Sequence, residues 1–224
     1  STLKIHLSNI PKKINNVKKI SKNDLVIDIG SNDGSLLTGY KKFKAKRIGI
    51  EPAKNLKKYY KNSGIMNINE YFNISLANRI KQKYGKAKVI TATNVFPHIQ
   101  NLHDFCKSLK IVMDKKGIFV FEAHYLLNLI KDVAFDTIYH EHVSYWSISA
   151  AQNLFSKYDL EIFKVDKLNI HHGQIRCWIC HKSAMKKDKK LNSYFKLEKQ
   201  KGKIDIRGLE KSKNRVLKNK MKFK

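Results

Sequence analysis

The stretch DLVIDIGSNDGSLL, residues 24–37, decides the fold of this chain. Its first half is mostly apolar, which is typical of a strand that is covered on both faces of a sheet. Gly30 and Gly34 then mark a tight turn, and a helical pattern follows. A glycine turn between a strand and a helix lets the backbone approach a ligand closely. The stretch therefore predicts an α/β fold with a ligand-binding loop.

Similar strand-like runs recur along the chain, with helical patterns between them. They cover residues 24–30, 46–52, 65–68, 87–96 and 117–124, and two more follow at 160–168 and 172–182. Alternation at this spacing indicates βαβ units in a parallel sheet. We predict a Rossmann-like, doubly wound α/β fold with a seven-stranded sheet, whose last hairpin introduces an antiparallel strand. Helices over 53–64 and 99–117 are expected to end at their final glycines.

The chain changes character after Lys182. Residues 183–224 contain 14 lysines and two arginines against four acidic residues, and few residues that could build a core. We therefore predict a folded domain over residues 1–182 and a basic extension over 183–224 that is helical or partly disordered. Removing the extension is expected to leave the stability of the first part nearly unchanged.

The net charge of +28 raises the question of a nucleic-acid or acidic-membrane partner. Only five of the 46 basic residues are arginine, however, and the 41 lysines are spread along the whole chain. Proteins that read nucleic acid favour arginine for paired contacts to bases and phosphates. The pattern therefore favours a solvated lysine surface over a nucleic-acid groove. No apolar run approaches the roughly 18–20 residues of a membrane span, and the N-terminus does not resemble a signal peptide, so we predict a cytoplasmic protein.

Cys177 and Cys180 form a C-x-x-C pair, and Cys106 stands alone. Three cysteines are too few for a disulfide framework, which fits a reducing compartment. A zinc site needs about four ligands, and the only candidates near the pair are the histidines at positions 171, 172 and 181. Adjacent positions on one strand do not easily enclose a metal, so we predict no metal site.

The loop after the first strand departs from the dinucleotide-binding pattern G-x-G-x-x-G, because Asn32 occupies the middle position. Asp33 would also repel a pyrophosphate, whereas S-adenosylmethionine tolerates acidic neighbours through its cationic amino group. Glu51, at the end of the second strand, can accept both hydroxyls of a ribose. Asn94 follows the fourth strand at the expected spacing. The predicted cofactor residues are Asp28, Gly30, Asn32, Gly34, Glu51 and Asn94.

A second group of chemically active side chains follows the fifth strand, as Tyr-His-Glu-His at residues 139–142, with Tyr145 and Trp146 beyond. Ligands of open α/β sheets bind beyond the carboxyl ends of the strands, where this segment is expected. The spacing is not the H-E-x-x-H pattern that brings two histidines together on a metal. Acid–base chemistry by one histidine and a satisfied polar turn both remain open.

Five segments resemble the deoxysugar C-methyltransferases, which act on nucleotide-linked 4-keto-6-deoxy sugars. They are DIGSNDGSLL, GIEPA, TNVFPHI, FDTIYHEHVSYWS and HHGQIR, in the family's order between about residues 20 and 182. The resemblance implies a class I methyltransferase fold with S-adenosylmethionine bound by Gly30, Asn32, Gly34 and Glu51.

For the reaction, the resemblance implies that His142 removes the proton next to the sugar ketone. Tyr139 and Glu141 would assist it, and His172 and Arg176 would lie by the substrate. Gln174 stands where the family commonly has glycine. The sequence also has no counterpart to the family's cysteine-rich zinc module and second α/β domain, so we expect an incomplete substrate site.

Two alternatives remain at this point. One is methylation of RNA or of another small acceptor, which only the charge supports. The other is a non-catalytic remnant that binds the cofactor or a partner. Salt-sensitive RNA binding would favour the first, and cofactor binding without turnover would favour the second.

Overall fold

The structure, a computed structural model, describes residues 2–132, 134, 137, 140–170, 173–201, 210, 213, 214 and 217. In this part of the chain, seven strands form one sheet in the order β3-β2-β1-β4-β5-β7-β6. They are β1 (Leu25–Ile29), β2 (Lys46–Ile50), β3 (Met66–Ile68), β4 (Ala87–Thr93), β5 (Met113–His124), β6 (Leu160–Leu168) and β7 (Gln174–His181). β1 is parallel to β2 and β4, and β6 and β7 are antiparallel. The predicted Rossmann-like α/β fold with seven strands is confirmed.

Seven α-helices accompany the strands in the described residues. They are α1 (Thr2–Val17), α2 (Ser35–Thr38), α3 (Ile74–Tyr84), α4 (Leu102–Val112), α5 (Leu126–Asp132), α6 (Ile148–Ser156) and α7 (Leu191–Lys201). Asn73, Asn101 and Ser147 precede α3, α4 and α6, and each side chain accepts a hydrogen bond from a backbone N–H of the first turn. None of the described helices is long and apolar enough to cross a bilayer.

Two predicted helices are wrong in type or extent. The run at 53–64 forms a 3₁₀ helix over Lys54–Tyr60, and α4 ends at Val112, so that Gly117 lies inside β5. A Cβ atom on Gly117 would lie 2.7 Å from the carbonyl oxygen of Ala87. The glycine therefore permits the close approach of two backbone segments and does not end a helix.

The chain up to Val95 together with Asn101–Val120 forms one compact unit. All five residues of its strand β1 are buried, and four of them are apolar, as expected for the centre of a covered sheet. Asp28 is the exception. The hydroxyl of Thr91 donates a hydrogen bond of 2.5 Å to its carboxylate, which compensates for burying a polar group.

Phe96–Gln100 and the described residues from Phe121 onward form the second unit. The ring of Phe96 lies at the centre of an aromatic cluster. Its centroid is 4.4 Å from that of Phe121, 4.6 Å from that of Trp146 and 5.7 Å from that of Phe155. Such rings bury large apolar areas. The cluster therefore joins the short segment at 96–100 to the end of β5 and to α6.

The segment at 183–201 packs on the rest of the second unit, because α7 contacts α6 and β6. Leu191 is buried, and the side chain of Glu198 accepts hydrogen bonds from the backbone N–H groups of Ile148 at 2.7 Å and Ser149 at 2.9 Å. For this segment, the contacts argue against the expectation that removing the extension leaves the stability nearly unchanged. The lysine-rich composition did not predict this packing, because only a few residues among the lysines make the contacts.

Candidate functional site

A cavity of about 470 Å³ lies in the first unit, lined by residues at the ends of β1, β2 and β4. This volume is in the range of pockets that hold small molecules. Five of the six predicted cofactor residues line it: Asp28, Gly30, Asn32, Glu51 and Asn94. Gly34 is not part of the lining and precedes α2, with a φ of 75°.

Gly30 shapes the turn that follows β1. Its φ of 65° lies in the left-handed region that favours glycine, and its N–H donates to the carbonyl oxygen of Ile50 at 2.8 Å. A Cβ atom at this position would lie 2.3 Å from Cγ2 of Val95. Both the conformation and the space therefore require glycine, and the wall of the cavity here is backbone.

Glu51 makes contacts to the backbone that its spacing in the sequence did not predict. Its side chain is buried, with Oε2 accepting from the N–H of Asn32 at 3.0 Å and Oε1 accepting from the N–H of Ala53 at 3.0 Å. A carboxylate has about four lone-pair directions, and these two bonds use two of them. The carboxylate can therefore hold the glycine loop and still accept hydrogen bonds from hydroxyl groups of a ligand.

The lining fits S-adenosylmethionine better than a pyrophosphate-containing dinucleotide. Three acidic residues, Asp28, Asp33 and Glu51, are among the residues that line the cavity, and their negative charge repels phosphate and attracts a cationic amino group. The Asp33 carboxylate accepts the N–H of Ser35 at 3.0 Å and stays within the loop. The donor and acceptor set therefore suits a ligand with an ammonium group at one end and ribose hydroxyls further along.

A group of histidines lies in the second unit. The ring of His142 lies 5.0 Å from that of His98 and 5.3 Å from that of His124, measured between centroids, and Tyr145 lies at 6.2 Å. Nδ1 of His142 is 2.8 Å from the carbonyl oxygen of Thr137. Because a carbonyl can only accept, Nδ1 carries a hydrogen, and the neutral ring has its basic lone pair on Nε2.

The structure describes some of the other predicted catalytic and substrate residues but not all of them. The side chain of Glu141 is exposed, and its backbone carbonyl accepts a hydrogen bond from Nδ1 of His98 at 2.6 Å. Tyr139 and His172 lie outside the described residues. The structure therefore brings His142 together with His98, which the sequence analysis had not singled out although it lies in the quoted segment TNVFPHI.

Arg176 is fully buried in β7, with an exposed fraction of 1%. Its Nε donates to Oε1 of Glu122 at 2.7 Å, and Nη2 lies 2.5 Å from the same oxygen. Glu122 is also buried. The guanidinium is therefore neutralised within the second unit by a residue that the sequence analysis did not consider.

The C-x-x-C pair lies in β7 with both thiols buried. Burial raises the pKa of Cys180 to about 11 and raises that of Cys177 as well. Such thiols stay protonated at neutral pH, which is unfavourable for a metal ligand. Among the described residues, no group of three or more histidine, cysteine or acidic side chains is arranged to hold a metal ion.

Comparison with known proteins identifies the class. Residues 7–165 match the protein family described as a methyltransferase domain, and the chain belongs to that family. The chain therefore carries a methyltransferase domain, whose cofactor is S-adenosylmethionine.

Two solved structures have the same fold at low sequence identity. An S-adenosylmethionine-dependent methyltransferase from Anabaena variabilis is 17% identical, with a TM-score of 0.57 over 71% of this chain and 77% of that one. Another from Clostridium acetobutylicum is 12% identical, with a TM-score of 0.57 over 79% of this chain and 91% of that one. At these identities the likeness is one of fold alone.

A curated relative carries a more specific name. The C-methyltransferase NovU of Streptomyces niveus is 31% identical over 152 residues, which are 68% of this chain. Those residues are 36% of the relative, so the chain spans about a third of the length of the protein that it matches.

Proposed function

We propose that the protein transfers the methyl group to carbon, on a nucleotide-linked 4-keto-6-deoxy sugar, with His142 as the general base. The observation that carries the proposal is the hydrogen bond between Nδ1 of His142 and the carbonyl of Thr137, because it leaves the basic lone pair on Nε2. The 31% identity with a C-methyltransferase supports transfer to carbon. The segments from Tyr139 to His142 and from His172 to Arg176 support the keto sugar by their resemblance to the deoxysugar family.

In this mechanism, Nε2 of His142 takes the proton from the carbon next to the ketone, and the electron pair of that C–H bond becomes the enolate. The ring becomes an imidazolium ion whose Nδ1–H still donates to Thr137. The residues that line the cavity of the first unit would hold S-adenosylmethionine, which would supply the methyl group for the enolate carbon, with S-adenosylhomocysteine as the leaving group. The assignments of Tyr139 and Glu141 as assisting groups, and of His172 and Arg176 as substrate neighbours, belong to the same proposal.

Solvent exchange tests the base apart from methyl transfer. The full chain is incubated in deuterated water with a nucleotide-linked 4-keto-6-deoxy sugar, and loss of the α-proton is followed by NMR. We expect His142→Ala to slow exchange by about 100-fold or more, the usual contribution of a general base. Affinity for S-adenosylhomocysteine should be unchanged.

His140→Ala is the matched control, because His140 is an exposed histidine two residues away, and it should exchange at nearly the normal rate. Exchange that survives in His142→Ala would transfer the role of base to Tyr139. A wild-type protein that binds the cofactor but exchanges no proton of any keto sugar would instead refute the proposed substrate.

A further inference from the structure

We infer that Tyr60 is a positioning residue for the cofactor: its phenol holds the peptide of Asn32 in the conformation that receives the methionine end of S-adenosylmethionine. The inference rests on the proposed cofactor site in the first unit. Tyr60 lies 28 residues beyond Asn32 in the chain, at the end of the 3₁₀ helix that follows β2.

The Asn32 residue is held on both sides of its Cα atom. Its N–H donates to Glu51 at 3.0 Å, and its carbonyl accepts from the Tyr60 hydroxyl at 2.7 Å. Between these two bonds, Asn32 has a φ of 48°, in the left-handed region that costs a non-glycine residue free energy. Asparagine tolerates this region better than most other residues, the two bonds hold Asn32 there, and Asn32 lines the cavity.

The hydrogen atoms of the two hydroxyl groups define the direction of each bond. The Tyr60 hydroxyl lies 2.7 Å from Oγ of Ser31 and 2.7 Å from the carbonyl oxygen of Asn32. A phenol has one hydrogen, and a carbonyl cannot donate. Tyr60 therefore donates to Asn32, and Ser31 donates to the phenol oxygen. Two successive residues of the loop are bound to the same phenol group.

The space for the tyrosine ring is provided by a glycine in β2. A Cβ atom on Gly49 would lie 2.6 Å from Oγ of Ser31 and 2.9 Å from Cε1 of Tyr60. The ring of Tyr60 is buried, whereas its neighbour Tyr59 is half exposed. Gly49, Ser31 and Tyr60 therefore form one packed arrangement beneath the loop.

The phenol remains a donor at any working pH. Burial is the main cause that raises the pKa of Tyr60 to about 12; the hydrogen bond from Ser31 opposes it, and the nearby carboxylates of Asp28, Glu51 and Asp33 add to it. A neutral phenol is the form that can donate to the Asn32 carbonyl. The bond to the loop therefore persists throughout the pH range in which methyltransferases are assayed.

The affinities for two ligands distinguish a role of Tyr60 in positioning the loop from a role in supporting the whole cavity. S-adenosylhomocysteine carries the amino-acid end, and 5′-methylthioadenosine has the same adenosine without it. For Tyr60→Phe, we expect calorimetry to give an S-adenosylhomocysteine affinity about threefold to tenfold weaker, the range for one hydrogen bond. The affinity for 5′-methylthioadenosine should change less than twofold. Tyr59→Phe, the matched control, should change neither.

Glu51→Gln distinguishes failure of this inference from failure of the proposed site. If Glu51→Gln weakens both ligands while Tyr60→Phe weakens neither, the site stands and the role of Tyr60 is refuted. Equal loss of both ligands in Tyr60→Phe would also refute it, because the phenol would then support the whole cavity. If neither variant affects either ligand, the cofactor does not bind at these residues, and both proposals fail.

Discussion

Replacing Glu198 with alanine removes an acceptor of three hydrogen bonds at the start of α6. The carboxylate, 5% exposed, accepts from the N–H of Ile148 at 2.7 Å, from the N–H of Ser149 at 2.9 Å and from the Ser149 hydroxyl at 2.5 Å. It also places a negative charge at a helix N-terminus, where the helix dipole favours it. We expect a large loss of stability from this one change in the basic extension.

The hydrogen bonds of Glu198 determine how much stability the variant should lose. The Ser149 hydroxyl can rotate towards water, so its bond contributes little. The N–H of Ile148 belongs to a fully buried residue, and leaving it unsatisfied costs about 1–3 kcal/mol. The N–H of Ser149 adds about 1 kcal/mol, and the charge at the helix end adds about 0.3–1 kcal/mol. The free energy of unfolding should therefore fall by about 2–5 kcal/mol, or roughly 10 °C in Tm for a chain of this size.

Urea denaturation followed by far-UV circular dichroism measures this loss. Glu198→Gln keeps one acceptor oxygen and should lose about half as much. Gln200→Ala is the matched control, because Gln200 is exposed on the same helix, and it should stay within about 0.5 kcal/mol of wild type. If Glu198→Ala behaves like this control, α7 does not dock on α6 in solution, and the reasoning from the hydrogen bonds is refuted.

Two further predictions concern burial. Gly117→Ala should lower the free energy of unfolding by about 1–3 kcal/mol, because its Cβ would lie 2.7 Å from the Ala87 carbonyl oxygen. Lys116→Ala, at an exposed position, is the control and should leave the free energy of unfolding unchanged. Equal stability of the two variants would contradict the close approach of the backbones. Burial raises the pKa of Cys106 to about 12, so Ellman's reagent should modify this thiol at pH 8 only after unfolding. Above the ordinary thiol pKa of about 8.5, the thiol ionises in the unfolded chain but not in the folded one, so the free energy of unfolding should fall as the pH rises. Rapid modification of Cys106 in the folded protein would contradict this burial.

The order of elements was predictable because the signals are local. An apolar run, a glycine turn and a helical pattern lie within residues 24–37, and their repetition specifies a parallel sheet without knowledge of any distant contact. The positions of Gly30, Glu51 and Asn94 followed from the same reasoning, since carboxyl ends of parallel strands lie at one edge. The prediction that a helix ends at Gly117 was wrong, because the sequence does not distinguish a glycine that ends a helix from one that permits the close approach of two backbones.

The sequence by itself determined the sheet, the glycine loop after β1 and the strand ends that carry the cavity. Only the tertiary structure decided which side chains support them: Tyr60 on the carbonyl of Asn32, His98 beside His142, and Glu198 on the N-terminus of α6. These partners are 28, 44 and 50 residues apart. A hydrogen bond acts over about 3 Å, so each pairing depends on how several strands and helices pack, which no pattern within one segment encodes.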